Sequence, residues 1–281
     1  EDFLGSVRRE EEAAFDTAIL SDYTGDFPFT VLTKTMRKVI LDYGDRILTK
    51  SPNKGCSELR GEICLYLARS RGIHVKASQI ILGSGAEYLY GLIVQLLGND
   101  RIYAIEDPSY SKIEKVYRSM GVSLDKLTLS ADGISSTALN STKAKVLHVT
   151  PFNSYPSGVT ADVSKKHEYL RWAHRHNGVI VEDNYDSELT VSKKEHEPLF
   201  TMDDEADVIY LNTFSRTVAP SVRIGYMILP EKMLDMYEER LGFYSCTVPI
   251  FDQYVLAEII KNGDFERHIN KVRRRRRKEQ T

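Results

Sequence analysis

The chain has 281 residues, of which 42% are hydrophobic and 28% charged, with a formal net charge of -2. This length and apolar content support a sizeable buried core, and the near-neutral charge excludes a global attraction to nucleic acid or to an anionic membrane. The three cysteines, Cys56, Cys64 and Cys246, are spaced for neither a disulfide framework nor zinc, so a cytoplasmic protein is expected. No stretch approaches the ~20 apolar residues of a membrane span, and the first residues lack a signal-peptide pattern.

The predicted elements begin with two helices. One ends at Gly44, in "LTKTMRKVILDYG", and the next is closed by Gly72, in "CSELRGEICLYLARSRG". From Gln79 onward, short apolar runs alternate with segments of helical spacing; the runs are "QIILGSG", "RIYAIE", "AKVLHVT", "GVIVED", "VIYLNTF" and "RIGYMILP". This rhythm predicts an α/β fold with a mostly parallel central sheet and helices on both faces.

Two further helices are predicted near the end of the chain, in "QYVLAEIIKNG" and in "DFERHINKVRRRRRKEQT", the second with Asp264 as its N-cap. The basic run from Arg273 to Lys278 is either a nucleic-acid patch or a solvated helix face. Because no aromatic residues interleave with the run, the solvated face is favoured.

Candidate ligand-binding residues follow the predicted strands, because open α/β sheets bind ligands beyond the carboxyl ends of their strands. After "QIIL", Gly83 and Gly85 allow a tight turn into a helix whose free N–H groups favour a phosphate, although glycine also ends strands for steric reasons. Tyr110 follows "RIYAIEDPS", where it either lies against a planar ring or packs at a helix start. In "PFNSYPSG", Asn153 is either a fixed donor or an ordinary turn residue.

The next strand ends in a run of acidic residues, and the loop after that contributes hydroxyl and guanidinium groups. No histidine lies at ligand spacing beside this acidic run, which disfavours a metal site; the run comprises Glu182, Asp183, Asp186 and Glu188. Asp183, nearest the strand end, suits a heteroaromatic nitrogen, whose pKa a carboxylate raises. In "LNTFSRTVAPSVRIGYMILP", the residues suited to an anionic phosphate are Ser215, Arg216 and Arg223.

In this order, the motifs resemble the large domain of fold-type-I pyridoxal-phosphate enzymes. More narrowly, "VTPFNSYPSGVT", "EDNYDSE", "TFSRTVAPSVRIGYMILP" and "GDFERHINKVRRRRR" look like the aminotransferase-like domain of the MocR/GabR subgroup of GntR-type transcriptional regulators. The resemblance covers residues 27–281, with the large cofactor-binding part at about 55–245, an incomplete small domain, and a linker or extension at 1–26. It implies a winged-helix DNA-binding domain outside this chain, a homodimer, and a small amine or amino-acid effector.

The resemblance also implies roles for individual residues around pyridoxal 5'-phosphate. The phosphate would be held by backbone N–H groups of Gly85, Ala86 and Glu87, with Ser215 and Arg223 closing around it. Tyr110 would stack on the ring, Asn153 and Tyr185 would bond its phenolic oxygen, and Asp183 would pair with its nitrogen, so that the protonated ring acts as an electron sink.

Three positions depart from the family pattern. The Schiff-base lysine aligns with Arg216, whose guanidinium stays protonated and is a poor nucleophile. The tyrosine that reaches the partner subunit's phosphate site aligns with Lys50. Glu87 stands where glutamine is usual, and its carboxylate is unfavourable beside a phosphate unless Lys50 or Arg216 neutralises it.

Three functions therefore remain open. The first is an effector-sensing domain in which catalysis is absent and the cofactor binds non-covalently or is replaced by another anionic ligand. The second is a pyridoxal-phosphate-dependent aminotransferase, which requires that Arg216 is an engineered replacement of the lysine or that Lys50 of a partner subunit reaches the aldehyde. The third is a dimerisation scaffold with an empty cleft.

Overall fold

The computed structural model describes residues 27–190 and 197–279, and it confirms the predicted α/β fold. An eight-stranded mixed sheet has the strand order β1-β8-β7-β6-β5-β2-β3-β4. The strands are β1 (Ile80–Gly83), β2 (Ile102–Asp107), β3 (Ser123–Ser130), β4 (Gly133–Ile134), β5 (Val146–Val149), β6 (Val179–Asp183), β7 (Asp207–Thr213) and β8 (Gly225–Ile228).

Strands β2, β3, β5, β6 and β7 are parallel to one another. Strand β8 is antiparallel to both β7 and β1, and β4 is antiparallel to β3. Strand β1 consequently runs in the same direction as the parallel set. The carboxyl ends of β1, β2, β5, β6 and β7 therefore lie along one edge. At that edge Gly225 pairs with both Gly83 and Thr213.

Helices cover both faces of the sheet. They are α1 (Phe29–Tyr43), α2 (Ser57–Arg71), α3 (Ala86–Leu97), α4 (Ser111–Ser119), α5 (Ser136–Ser141), α6 (Val163–His176), α7 (Leu199–Met202), α8 (Leu234–Leu241), α9 (Ile250–Lys261) and α10 (Asp264–Glu279). Alternate strand residues enter different cores: Val179 and Val181 pack with α3, α4 and α8, while Ile180 between them packs with α5 and α6. A third core joins α1, α2, α9 and α10 to β1, β7 and β8.

The local signals placed most elements correctly. Gly44 and Gly72, with φ of 51° and 65°, end α1 and α2 as predicted, because glycine adopts this region without a Cβ clash. Asp264 is the first residue of α10 rather than its N-cap, and its carboxylate binds Arg267 at 2.6 Å. Strand β3 was absent from the predicted runs because its "SLDKLTLS" sequence is largely polar, with only Leu127 buried.

Within the described ranges, no helix is long and apolar enough to span a membrane. The linker or extension assigned to residues 1–26 lies outside the described part of the chain.

Candidate functional site

A cavity of about 750 Å³ opens at the carboxyl edge of the sheet. Its walls come from the start of α3, the loops after β2, β6 and β7, and one side of α10. The predicted site residues among its lining are Ala86, Glu87, Tyr110, Asp183, Tyr185, Ser215, Arg216 and Arg223. Gly85 immediately precedes α3 beside the cavity, whereas Asn153 and Lys50 are not among the lining residues.

The first part of the cavity is formed by the N-terminus of α3 together with Lys112 and Arg223. Because these groups suit a bound anion, we call this part the anion seat. Gly85 caps α3 with φ of 96° and ψ of 175°. A Cβ on Gly85 would lie 2.5 Å from Nη2 of Arg223, so the guanidinium packs directly on this backbone. Ser215, also at the cavity, donates its hydroxyl to the carbonyl of Val222 at 3.0 Å. The start of α3 thus offers its N–H groups and a cation to an anion.

Glu87 occupies this seat with its carboxylate. One oxygen lies 2.7 Å from Nη2 of Arg223 and the other 2.7 Å from Nζ of Lys112. Burial alone would raise the pKa of Glu87, but the hydrogen bonds from Lys112 and Arg223 lower it to about 2. Within the described chain, Lys112 and Arg223 rather than Arg216 are the cations paired with Glu87.

The second part of the cavity is a buried carboxylate. Asp183 ends β6 with 3% of its surface exposed, accepts the hydroxyl of Tyr90 at 2.5 Å, and accepts the backbone N–H of Tyr185 at 3.1 Å. Behind it, Nε2 of His148 lies 3.7 Å from the Asp183 carboxylate. Burial, and then the charge of Asp183, raise the pKa of Tyr90 well above its usual value, so this phenol remains a donor at neutral pH. Asp183 is thereby held as a hydrogen-bond acceptor at the cavity wall.

The sequence interpretation missed Lys112, Tyr90 and His148. Lys112 lies two residues beyond the Tyr110 turn, a signal that the local sequence did contain. Tyr90 lies on the buried side of α3 and His148 lies inside β5, positions that are typical of ordinary core residues. Only the packing of α3 on the sheet and the pairing of β5 with β6 bring these two side chains to Asp183.

The loop after β5 uses its polar groups within the chain. Asn153, with φ of 49°, donates its side-chain amide to Asp186 at 2.6 Å. The hydroxyl of Tyr185 donates to the backbone carbonyl of Asn153 at 2.8 Å. Bonds from Asn153 and Tyr185 to a ligand oxygen remain predictions.

Arg216 is held at the mouth of the cavity by two contacts. Its Nε lies 3.3 Å from Asp186, and its guanidinium carbon lies 5.3 Å from the centroid of the Tyr185 ring. A guanidinium remains protonated and delocalised, so it is neither a nucleophile nor a general base. Among the described residues that line the cavity, Lys112 is the single lysine, and its pKa is raised by the hydrogen bond to Glu87.

Helix α10 closes one side of the cavity, where the sequence favoured a solvated basic face. Its cavity-lining residues are His268, Val272, Arg275, Arg276 and Glu279. Arg273 donates to the carbonyl of Glu188 at 2.7 Å, and Arg276 donates to that of Leu189 at 3.2 Å. The preference for a solvated face was therefore wrong for part of the run, because these arginines anchor α10 to the loop after β6.

Comparison with known proteins finds transcriptional regulators of similar sequence and aminotransferases of similar structure. No protein-family model matches the chain. The uncharacterized HTH-type transcriptional regulator YdeL of Bacillus subtilis is 32% identical over 252 residues, which cover 90% of this chain and 54% of YdeL. The probable rhizopine catabolism regulatory protein MocR of Rhizobium meliloti is 28% identical over 221 residues, covering 78% of this chain and 45% of MocR. The chain is a homologue of the MocR-type regulators.

Solved structures agree with this relationship. The kynurenine aminotransferase of Pyrococcus horikoshii superposes with a TM-score of 0.80 at 25% identity, covering 89% of this chain and 64% of that one. The multiple substrate aminotransferase of Thermococcus profundus superposes with a TM-score of 0.80 at 22% identity, covering 95% and 70%. The fold is that of the fold-type-I aminotransferases, and the chain spans about half the length of its curated MocR-type relatives.

Proposed function

We propose that this chain is the effector-sensing, aminotransferase-like domain of a transcriptional regulator, and that it binds pyridoxal phosphate reversibly without turning over an amino acid. The observation that carries the proposal is one cavity that combines an anion seat, a buried acceptor at Asp183, and an arginine, Arg216, paired with Asp186. By the sequence resemblance, Arg216 stands where the family has its covalent lysine. The first two features suit a phosphorylated ring, and the third removes its covalent attachment.

The groups present fit the cofactor at both ends. The α3 N-terminus and Arg223 would hold the phosphate, with Ser215 beside them, while Asp183 would keep a proton on the ring nitrogen. Tyr110 lines the same cavity and offers an aromatic face. When bound, pyridoxal phosphate supplies an electron-withdrawing ring, and the chain supplies its binding and orientation.

Catalysis of amino-group transfer requires a base that moves a proton beside the ring. Arg216 cannot accept a proton at physiological pH. Lys112 is held protonated by Glu87 in the anion seat. A ligand would therefore act by changing the population of conformations rather than by reacting.

The remaining parts of the proposal concern the whole protein. The HTH-type names of the relatives support DNA binding through a separate winged-helix domain. We also propose a cytoplasmic homodimer in which Lys50 of one subunit reaches the phosphate of the other, with a small amine or amino acid as effector. Residues 1–26 would be the linker, and residues 27–281 would belong to the aminotransferase-like domain.

Calorimetric titration with pyridoxal phosphate tests the proposed function. We expect saturable binding that D183N and R223A each weaken by about tenfold or more, because each removes a charged partner of the ligand. R118A is the matched control: Arg118 has a similarly exposed side chain and is paired with Glu114 outside the cavity. Absence of binding, or equal effects of R118A and R223A, would refute the proposal.

A second candidate, a working aminotransferase, is favoured by the superposition on aminotransferases and by the placement of Asp183. The R216K variant separates the two functions. If Arg216 is what prevents chemistry, R216K gains a covalent cofactor adduct that the present chain lacks. Turnover of an amino donor by the chain with Arg216 in place would establish the aminotransferase instead.

A further inference from the structure

The Glu87 carboxylate contacts the two cationic side chains at which a ligand's phosphate is proposed to bind. It projects from the first turn of α3 and takes one bond from Arg223 and one from Lys112, both at 2.7 Å. Arg223 in turn packs on Gly85, where a Cβ would meet its Nη2 at 2.5 Å. The two cationic donors of the anion seat are therefore already engaged by an acid that belongs to the chain.

The charges of the seat determine what an incoming anion meets. Arg223 and Lys112 contribute two positive charges and Glu87 one negative charge, which leaves one net positive charge. A phosphate ester carries close to two negative charges at neutral pH. Its oxygens would lie within a few ångströms of the Glu87 carboxylate, where like charges repel and each donor must be shared.

We propose that Glu87 is a built-in competitor for the anion seat, which lowers the affinity for phosphorylated ligands and keeps their binding reversible. This inference rests on the proposed function, since it concerns the same seat. In this proposal the Glu87 side chain opposes phosphate binding, whereas the sequence resemblance gives the backbone N–H of Glu87 a part in holding the phosphate. The ligand must displace the carboxylate from Arg223 and Lys112, so occupancy of the cavity follows the concentration of free phosphorylated ligand.

If Glu87 instead has a structural role, the opposite change in affinity is predicted. If its carboxylate merely positioned Arg223 and Lys112 for the ligand, its removal would scatter these two side chains and weaken binding. Lys112 is 53% exposed and Arg223 is 51% exposed, so neither is held by dense packing. The direction of the change in affinity therefore decides between competition and positioning.

The experiment compares E87Q with the unchanged chain by calorimetric titration, using pyridoxal phosphate and, separately, pyridoxal, which lacks the phosphate. E114Q is the matched control, because Glu114 also bridges two cations, Arg118 at 2.9 Å and Lys126 at 3.4 Å, with a similarly exposed side chain. We expect E87Q to bind pyridoxal phosphate about tenfold or more tightly, to bind pyridoxal unchanged, and E114Q to behave as the unchanged chain with both probes.

Equal or weaker binding of pyridoxal phosphate by E87Q overturns this inference, as does a gain that appears equally with pyridoxal. If the unchanged chain binds pyridoxal phosphate and E87Q binds no better, the proposed function stands while the inference fails. If neither protein binds, both fail. E87A supplies the same test should the glutamine variant not fold, and circular dichroism identifies the folded proteins.

Discussion

Replacement of Gly85 by alanine perturbs both the start of α3 and the anion seat. Gly85 has φ of 96° and ψ of 175°, a backbone region that is essentially restricted to glycine. The added Cβ would lie 2.5 Å from Nη2 and 2.9 Å from Cζ of Arg223. Both the backbone and the guanidinium must therefore move.

The magnitude follows from these two effects. A non-glycine residue held in this region costs about 1–3 kcal/mol. Arg223 is a half-exposed side chain that can swing away, so the clash adds little to the unfolding energy but removes the cation from the seat. We expect G85A to lower the free energy of unfolding by about 1–3 kcal/mol and to weaken binding of pyridoxal phosphate by about tenfold.

Urea denaturation and calorimetric titration measure the two effects. G61A is the matched control, because Gly61 lies inside α2 with nothing within 4 Å of an added Cβ. Alanine there should stabilise the chain by about 0.5–1 kcal/mol, since glycine is a poor helix former. A G85A protein as stable as G61A, with unchanged binding, would refute the account of this turn.

Further predictions concern buried polar groups. Burial raises the pKa of Glu106 to about 7 despite the hydrogen bonds that it accepts from Ser154 and Thr150. The folded state thus binds this proton more tightly than the unfolded state, so the stability of the unchanged chain relative to E106Q should fall by about 3 kcal/mol as pH rises from about 4.5 through 7; parallel denaturation profiles would contradict this. Y90F removes the donor to Asp183 and should cost about 1–3 kcal/mol in urea denaturation, because a buried carboxylate loses a partner. Y66F should cost a similar ~1–3 kcal/mol by leaving the buried Glu188 without its phenol donor; losses below about 0.5 kcal/mol would show that neither bond matters.

Much of the fold was predictable from the sequence because its signals are local. Runs such as "GVIVED" and "VIYLNTF" are apolar on both faces, which is typical of strands covered by helices on both sides. Strands β7 and β8 are joined by a loop without a helix, and they are antiparallel. Strand β3 was not predicted because it lies near the sheet edge, where one face of a strand can carry polar residues.

The candidate site was predictable only in part. Asp183 ends β6, the Gly85 turn follows β1, and Arg223 lies just before the antiparallel β8, so the fold brings all three to one edge of the sheet. The pairing of Glu87 with Lys112 could not be predicted, because it joins side chains 25 positions apart on two helices. Likewise, the contact of α10 with the cavity depends on how helices pack rather than on the spacing of its arginines.

The central claim is that the cavity binds pyridoxal phosphate without a covalent bond. Its most direct test is to mix the chain with pyridoxal phosphate, reduce one half with borohydride, and analyse the peptides of both halves by mass spectrometry. We predict a cofactor that dialysis removes, with no lysine peptide carrying a stoichiometric reduced adduct. A stoichiometric adduct on Lys112 or Lys50 would contradict the claim and would make Arg216 irrelevant to the loss of chemistry.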